Sequence, residues 1–386
     1  MVLHNVISAL EGDCVRTRRD LHAIPEIAFN EYKTQEYVLS RLAAVGADRI
    51  EKIAGTGVKA VWYTPGAEKT LAFRADMDAL AVEEKNATDY ASRHPGFMHG
   101  CGHDGHMTVL LMLAEMISRR RERLKVNVVL LFQPGEEGRG GARRMIAEGG
   151  LEDPHVDLIL GCHVWPQIDK GRIGVRWGAQ MAQTCELDFI VRGRSAHAAS
   201  PQLGVDAVVC AAEFISVIQT AITRNVDPHQ DALLTIGRIE GGKARNIIAD
   251  RVDLNATVRV LDPDVYSHLM GRVYDIAEGT ARALGAKIEV RELMSYPSVI
   301  NPRPLVEKFY EYVDRGCVDL VEPSMAGEDF AFYQQKTPGL FFWLGIRGGK
   351  NHAPLHNEQF DFDEDALLGG VEIYCNILGL FGQEEK

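Results

Sequence analysis

The 386-residue sequence predicts an α/β protein with a helix-flanked mixed central sheet and a smaller α+β domain inserted into the chain. First, continuous apolar runs of strand length, at residues 126–132 and 158–162, alternate with helical patterns. This alternation is typical of a sheet buried on both faces. Second, the middle of the chain has the order β-α-β-β-α-β, which forms a complete two-layer module by itself. A chain of this length also exceeds the size of most single cores, so two domains are expected.

The elements of the outer domain follow from apolar periodicity and from the residues that interrupt it. Pro25 disfavours helix after the first helical pattern, and Gly46 ends the second. In the third, Leu110, Leu113 and Ile117 share one face. The predicted helices are residues 5–21, 33–45 and 108–123, and the predicted strands are residues 58–63, 70–74, 126–132 and 158–162.

The inserted domain is predicted from a second, self-contained series of elements. Its second helix begins behind Asp262, which is suited to cap a helix N-terminus. The predicted strands are residues 185–191, 233–240, 250–260 and 287–293, and the predicted helices are residues 206–223 and 263–284. We therefore place an inserted α+β, ferredoxin-like domain at residues 182–297, between residues 1–181 and 298–386 of a discontinuous outer domain.

Composition excludes several classes of partner. The net charge of -12 argues against nucleic acid and against an anionic membrane surface as partners. No apolar run approaches the roughly 20 residues that span a bilayer, and the N-terminal residues lack the apolar segment of a signal peptide. The seven cysteines have no disulfide-framework spacing, which fits a reducing compartment. We expect a cytoplasmic protein that binds neither nucleic acid nor membrane.

A metal-binding pattern lies at residues 98–106, Met-His-Gly-Cys-Gly-His-Asp-Gly-His. Thiolate, imidazole and carboxylate groups are the usual ligands of zinc and similar transition metals. The glycines allow the backbone to turn so that Cys101 and His103 face one point. A polar surface turn is the alternative interpretation, but it does not explain the Cys-x-His spacing with flanking Asp and His.

The partners of this cluster are expected directly after the predicted strands, because ligands of open α/β sheets collect at the carboxyl ends of the strands. Asp76 and Asp78 follow one strand, and the Glu136-Glu137 pair follows another. His163 and His356 follow later apolar runs. Taken alone, a Glu-Glu pair is usually a solvated surface and a single histidine is usually structural.

Taken together, five of these residues can hold two metal ions with open positions for water and substrate: Cys101, His103, Glu137, His163 and His356. Because adjacent side chains at a strand end point in different directions, Glu137 can bind metal while Glu136 faces a water molecule. A carboxylate in that place is suited to act as a general base in amide hydrolysis.

The chain resembles the M20 family of metal-dependent peptidases and amidohydrolases, in particular its aminoacylase and hippurate hydrolase branch. The resemblance covers nearly the whole chain in the expected order. The matching motifs are residues 19–26, 74–80, 99–106, 133–138, 161–163, 193–197, 241–248, 257–259, 327–330 and 355–356.

The resemblance implies roles for individual residues. It implies metal ligation by the five residues named above, with Cys101 shared by both ions, and general-base catalysis by Glu136. It places Asp76 where the family has a carboxylate that orients a ligand. The inserted domain is implied to be a lid through which a homodimer forms, with His197 reaching the reaction oxyanion across the dimer. The substrate-binding positions of the family correspond to Asn246 and Arg259 of this domain and to Gly327 after it, and Arg259 is suited to bind a carboxylate with two hydrogen bonds.

The sequence thus predicts an enzyme that hydrolyses N-acyl amino acids to a carboxylic acid and a free amino acid. Two divalent ions are expected, with zinc first and manganese, cobalt or nickel as alternatives. A dipeptidase or aminopeptidase on the same site is the first alternative function. A non-catalytic metal-binding protein is the second, and the intact Glu136 and His197 argue against it.

Overall fold

The structure, a computed structural model, describes residues 1, 3–350 and 353–381. The chain divides into two compact units. The first consists of Met1–Gly178, Ile300–Glu322 and Asp329–Lys386, and the second of Ala179–Val299 and Pro323–Glu328. The insertion predicted at residues 182–297 falls inside the second unit, which also takes a short later segment of the chain. None of the helices within the described ranges combines the length and apolar character needed to cross a bilayer.

The regular elements are numbered along the chain. The helices are α1 (Asn5–Ser8), α2 (Glu11–His22), α3 (Tyr32–Ala44), α4 (His103–Arg119), α5 (Glu136–Arg139), α6 (Gly141–Ala147), α7 (Ala207–Ile218), α8 (Thr220–Thr223), α9 (Pro263–Leu284), α10 (Arg303–Phe309), α11 (Ala331–Gln334) and α12 (Ala366–Leu378). The strands are β1 (Arg49–Ile53), β2 (Gly57–Trp62), β3 (Thr70–Asp76), β4 (Asn127–Gln133), β5 (Leu158–Asp169), β6 (Ile173–Gly174), β7 (Gly178–Met181), β8 (Gln183–Arg192), β9 (Ala232–Gly241), β10 (Arg251–Val260), β11 (Lys287–Tyr296), β12 (Val299–Asn301), β13 (Val318–Asp319) and β14 (Gly339–Arg347).

The first unit is built on an eight-stranded mixed sheet with the strand order β1-β2-β4-β3-β5-β14-β6-β13. Its centre is parallel, since β3 pairs in parallel with β4 and β5, and β14 pairs in parallel with β5. The strands β1 and β2 add an antiparallel edge. Helix α4 is buried along most of its length, because it packs its apolar residues onto this sheet. The predicted helix-flanked mixed sheet is confirmed.

The second unit has a four-stranded antiparallel sheet with the order β11-β8-β10-β9. Helices α7 and α9 bury their apolar residues, including Phe214 and Val273, in one core with this sheet. Asp262 caps α9, because its side chain accepts a hydrogen bond from the Asp264 N–H at 2.8 Å. The β-α-β-β-α-β order predicted from the sequence is therefore present, with α8 as a short extra turn after α7.

The predicted opening helix at residues 5–21 differs from the structure, which has two helices there. The Leu10 N–H donates to the Ile7 carbonyl at 2.9 Å, a tight turn between residues three apart. This turn lets both Ile7 and Leu10 enter the core, where they are almost completely buried. Burial of these two side chains in the core thus divides the single helix that the sequence predicts into two.

Candidate metal centre

The turn before α4 places Cys101 and His103 on either side of a glycine. Gly102 has a φ of 85°, and a Cβ at this position would lie 2.4 Å from Val164 Cγ2 on β5. Only glycine satisfies both conditions. The turn is thereby fixed against the strand that carries His163.

A loop after β14 brings His356 to the same edge of the sheet. The His356 N–H donates to the Gly100 carbonyl at 2.8 Å, which ties this loop to the turn before α4. His356 has a φ of 65°, which is unusual for a residue other than glycine and is typical of functional positions. Its side chain is 53% exposed, in contrast to the buried His103 and His163.

The five predicted ligands form two groups that share Cys101. The ligand atoms of Cys101, His103 and His163 lie within 4.8 Å of one another, and those of Cys101, Glu137 and His356 do the same. Cys101 Sγ lies 3.3 Å from His163 Nε2. His356 Nε2 lies 3.4 Å from Glu137 Oε1, and His103 Nε2 lies 3.9 Å from the same oxygen. Residues far apart in the sequence therefore converge in the pattern that a two-ion site requires.

Two buried polar atoms in these groups are available to contact a cation. Among the residues that the structure describes, neither His103 Nε2 nor Glu137 Oε1 has a hydrogen-bond partner. Burying polar atoms without partners is costly, so such atoms are rare in folded proteins. A bound cation would satisfy both.

Main-chain carbonyls fix the orientation of the two buried histidine rings. His103 Nδ1–H donates to the Asp78 carbonyl at 2.8 Å, and His163 Nδ1–H donates to the Val164 carbonyl at 2.7 Å. Each ring consequently directs Nε2 to the candidate site, where a metal ion would bind in place of any proton. Burial, followed by the nearby His106, holds the pKa of His163 well below its ordinary value, so this ring is neutral.

The electrostatics of the site favour a cation. Burial, followed by Glu137 and Glu136, raises the pKa of the Cys101 thiol well above its ordinary value. Burial alone would lower the pKa of His103, but Asp76, Asp78 and Glu137 together raise it to about 10. The protein thus surrounds these ligands with negative charge, which divalent ions would balance. The donor set fits two such ions.

The segment after β4 separates Glu136 from Glu137. Glu137 has non-helical backbone angles, φ -68° and ψ 79°, within the short α5. Asp78 holds this segment, because its Oδ1 accepts the Glu136 N–H at 3.1 Å and its Oδ2 accepts the Glu137 N–H at 2.9 Å. Glu136 is only 8% exposed, and its Oε1 accepts the Asp329 N–H at 3.4 Å.

Asp76 lies behind the site but does not hydrogen-bond to a predicted ligand. Its Oδ1 accepts from His106 Nδ1 at 2.6 Å, and its Oδ2 accepts from Arg74 at 2.8 Å. It lies 3.7 Å from His103 Nε2. His106 uses its other nitrogen to accept the Val164 N–H, so both of its ring nitrogens are engaged. Asp78 is the carboxylate that contacts the His103 ring.

The predicted substrate-side residues all lie in the second unit. His197 and Asn246 are exposed on adjacent segments, since the Ala198 N–H donates to the Asn246 carbonyl at 3.0 Å. Arg259 lies on β10, and its Nη1 donates to the Met325 carbonyl at 3.2 Å. A Cβ at Gly327 would lie 2.7 Å from Thr184 Cγ2, so this position requires glycine for close packing.

Three carboxylates hold the Glu136 segment, and Asp78 is the one that the sequence places among the expected partners of the metal cluster. Asp78 is visible in the sequence as a second acid after β3, and Asp329 lies in the matched motif at residues 327–330. Glu31 has no sequence signal. It is buried, its Oε1 accepts the Gly135 N–H at 3.0 Å, and its Oε2 accepts the Thr56 hydroxyl.

Comparison with known proteins agrees with this geometry. The model of peptidase family M20/M25/M40 matches residues 72–379. The chain is 39% identical over 363 residues to the N-acetyldiaminopimelate deacetylase of Bacillus velezensis, covering 93% of this chain and 96% of the relative. The Bacillus subtilis protein of the same name is 37% identical over 375 residues, with coverages of 96% and 98%.

A solved structure shares both the fold and the family. The Bacillus subtilis YXEP protein, described as a dinuclear metal-binding peptidase, matches with a TM-score of 0.84 and 31% identity. The match covers 96% of this chain and 98% of that chain. The chain therefore belongs to peptidase family M20/M25/M40, as its motifs predict, and it is a metal-dependent hydrolase of amide bonds.

Proposed function

We propose that this protein hydrolyses the amide bond of N-acyl amino acids, releasing a carboxylic acid and a free amino acid. The convergence of two ligand groups on Cys101, with Glu136 beside them, carries this proposal. The names of the deacetylase relatives support an N-acyl amino acid as the substrate. They make N-acetyldiaminopimelate the first compound to test.

In this proposal the five predicted residues would hold two divalent ions, and Cys101 would serve as a ligand in both groups. When bound, the ions polarise the acyl carbonyl and make water more acidic. Zinc is the proposed metal because the donors include a thiolate, imidazoles and a carboxylate, with manganese, cobalt and nickel as the alternatives. The proposed contribution of Asp78 is to orient His103 and to hold Glu137 through its main chain.

Glu136 is the proposed general base. It takes a proton from the attacking water and later delivers that proton to the nitrogen of the leaving amino acid. Burial strengthens the interaction of its carboxylate with the reacting atoms, because water no longer screens the charge. Its hydrogen bond from the Asp329 N–H helps to fix its position.

The second unit is proposed to bind the substrate. His197 would donate a hydrogen bond to the oxyanion, and Arg259 would bind the free carboxylate of the amino acid. Asn246 and Gly327 are proposed to contact the rest of the substrate. The exposed valines 208, 209 and 217 on α7 support a homodimer formed through this unit, with His197 acting across it. The proposed location is the cytoplasm.

The Glu136→Gln variant tests the mechanism. Because glutamine keeps the shape but cannot accept a proton, turnover is expected to fall by about three orders of magnitude or more while metal content stays unchanged. Metal analysis and initial rates with N-acetyldiaminopimelate provide the measurements. Glu372→Gln, at a buried acid of α12, is the matched control and should retain its turnover. Ordinary turnover by Glu136→Gln would exclude this mechanism.

A substrate panel distinguishes the alternatives. The first alternative, a peptidase, is favoured by the description of the YXEP structure. We expect N-acetyl and N-benzoyl amino acids to be cleaved faster than unblocked dipeptides. Apoprotein reconstituted with zinc, manganese, cobalt or nickel identifies the active metal. Preference for a dipeptide would establish the peptidase alternative, and hydrolysis that survives complete metal removal would exclude the proposed site.

A further inference from the structure

Asp329 connects the two ends of the segment that carries Glu136 and Glu137. Its carboxylate accepts from Gln133 Nε2 at 2.8 and 2.9 Å, and from the Ala142 N–H at 2.9 Å. Gln133 is the last residue of β4, and Ala142 lies in the first turn of α6. A single carboxylate therefore ties together the start and the end of the Gln133–Ala142 segment.

Asp329 is itself held by a buried arginine. Arg74 Nη2 donates to Asp329 Oδ1 at 2.8 Å, and Arg74 Nε donates to Gln133 Oε1 at 2.9 Å. Arg74 and Asp329 are at most 1% exposed, and Gln133 is fully buried. Charge-assisted hydrogen bonds in such surroundings are strong and geometrically specific. The three side chains form a closed triangle of hydrogen bonds.

The same residue faces the proposed base. The Asp329 main-chain N–H points to Glu136 Oε1 at 3.4 Å, so the residue that ties the segment also contacts its reactive carboxylate. Between the two ties, Gly135 and Gly138 adopt φ values of 65° and 73°. Glycine has more backbone freedom than any other residue, so this segment depends on outside contacts to keep one conformation.

We propose that Asp329 is a positioning residue that fixes the reactive placement of the Glu136 carboxylate through Gln133, Ala142 and its own main-chain N–H. This inference rests on the proposed role of Glu136 as general base. It differs from a purely structural role, because loss of the tie should slow the chemical step in enzyme that is fully folded and metal-loaded.

The Asp329→Asn variant tests the proposal. One carboxylate oxygen becomes an amide NH2 that faces other donors, since Asp329 accepts from an arginine, an amide and a main-chain N–H. Because small displacements of a reacting group cost ~100-fold in rate, kcat should fall by that order. KM and metal content should stay within about twofold, because four of the five ligands lie outside this segment and Asp78 also holds the Glu137 N–H. Assays run well below the Tm of each variant, so that all enzyme is folded.

A double variant that exchanges the carboxylate and the amide between positions 133 and 329 provides a second test. In the double variant Gln133→Glu/Asp329→Asn, the amide introduced at position 329 can donate to the carboxylate introduced at position 133, while Arg74 still meets an acceptor at both positions. The Ala142 N–H then faces the new NH2 group, so the exchange restores one tie and recovery is partial. Recovery of kcat by about tenfold over Asp329→Asn is expected. If Asp329→Asn does not fold, Gln133→Met serves in its place, because it removes one tie and keeps the Arg74–Asp329 pair. A fall in kcat of about tenfold at unchanged KM is then expected.

The controls separate this proposal from its premise. Glu372→Gln removes charge from another buried acid and should change the Tm without changing kcat. The proposal is overturned if Asp329→Asn, or Gln133→Met in its place, keeps wild-type kcat, or if the exchange restores the Tm but not kcat. Full activity of Glu136→Gln would instead overturn the proposed function, whatever the Asp329 variants do.

Discussion

The metal-ligand edge of the first unit and the His197 loop of the second unit, residues 194–201, hold their functional side chains in different ways. At the edge, His103, His163 and Glu136 are buried, and both histidine rings are fixed by hydrogen bonds to main-chain carbonyls. In the loop, His197 is exposed, and its Nδ1 accepts a local hydrogen bond from the Ala199 N–H. The first region has a fixed geometry, and the second leaves the proposed substrate-binding side chain free to adjust.

This contrast predicts that variants at the edge reduce metal binding and kcat, whereas variants in the second unit raise KM. Cys101→Ala should have the largest effect, because Cys101 belongs to both ligand groups. Losing the metal removes several kcal/mol of transition-state stabilisation, or roughly a thousandfold or more in kcat. Metal analysis of the purified variant should show fewer than two ions per chain.

Cys210→Ala in the second unit is the matched control, since Cys210 is also a buried cysteine. It removes the same atoms and should leave metal content and kcat unchanged. If Cys101→Ala retains two ions and normal turnover, the edge is not the metal site and the contrast between the two regions has no basis.

Asp78→Asn should have the second-largest effect. Each Asp78 carboxylate oxygen accepts a main-chain N–H, so an amide would place its NH2 against one of them. Loss of a group that orients ligands typically costs ~10–100-fold in metal affinity or activity. Metal titration of the apoprotein measures the change in metal affinity. Asp169→Asn, at the exposed end of β5, is the control and should titrate as wild type; equal affinities of the two variants would contradict the role of Asp78.

Arg259→Lys tests the other side of the comparison. A lysine keeps the charge but cannot form the bidentate hydrogen bonds that arginine makes with a carboxylate. KM should therefore rise about tenfold, with kcat and metal content unchanged. Arg251→Lys, at an exposed position of the same strand β10, should behave as wild type. A loss of bound metal in Arg259→Lys would contradict the assignment of metal binding to the first unit and substrate binding to the second.

Glu31→Gln should have the smallest effect on activity and a measurable effect on stability. Burial raises the pKa of Glu31 from 4.5 to about 7, although the Thr56 hydroxyl lowers it in part. The folded state therefore binds a proton more tightly than the unfolded state, and stability falls as pH rises from about 4.5 to about 7. Glutamine still accepts the Gly135 N–H but does not ionise. Above pH 7 the variant should be more stable by at most about 3 kcal/mol.

Urea denaturation at pH 5 and pH 8 measures this difference. The variant should gain over wild type only at the higher pH, and its kcat should stay within about twofold. A stability difference that is the same at both pH values would contradict the raised pKa of Glu31. A gain in stability at pH 8 alone would show that the metal-ligand edge keeps Glu31 in place at a cost to the free energy of unfolding, a cost that the exposed His197 loop does not have.

Much of the candidate site follows from the sequence, because the carboxyl ends of parallel strands meet at one edge. That rule brings Glu136, Glu137 and His163 together with the Cys101-His103 pair without any knowledge of side-chain contacts. The central sheet and the β-α-β-β-α-β order are predictable for a similar reason. Each depends on local apolar patterns and on short connections.

The contacts by which carboxylates hold the Glu136 segment could not be predicted in the same way, although the strand-end rule does place Asp78 among the site candidates. Glu31, Asp78 and Asp329 act by accepting main-chain N–H groups, and every residue except proline offers such a donor. The pairing depends on the fold and not on residue type. Strand β1 is also absent from the predicted elements, since it is short and mostly half-buried at the sheet edge.

The position of β14 in the sheet has a consequence for synthesis of the chain. This strand lies beside β5, but it follows the whole second unit in the sequence, as do Asp329 and His356. During translation, β5, which carries His163, has one edge unpaired until more than 150 further residues are made. The nascent protein therefore passes through a stage in which Cys101 has not yet met His356 and one edge of β5 is open to other strands.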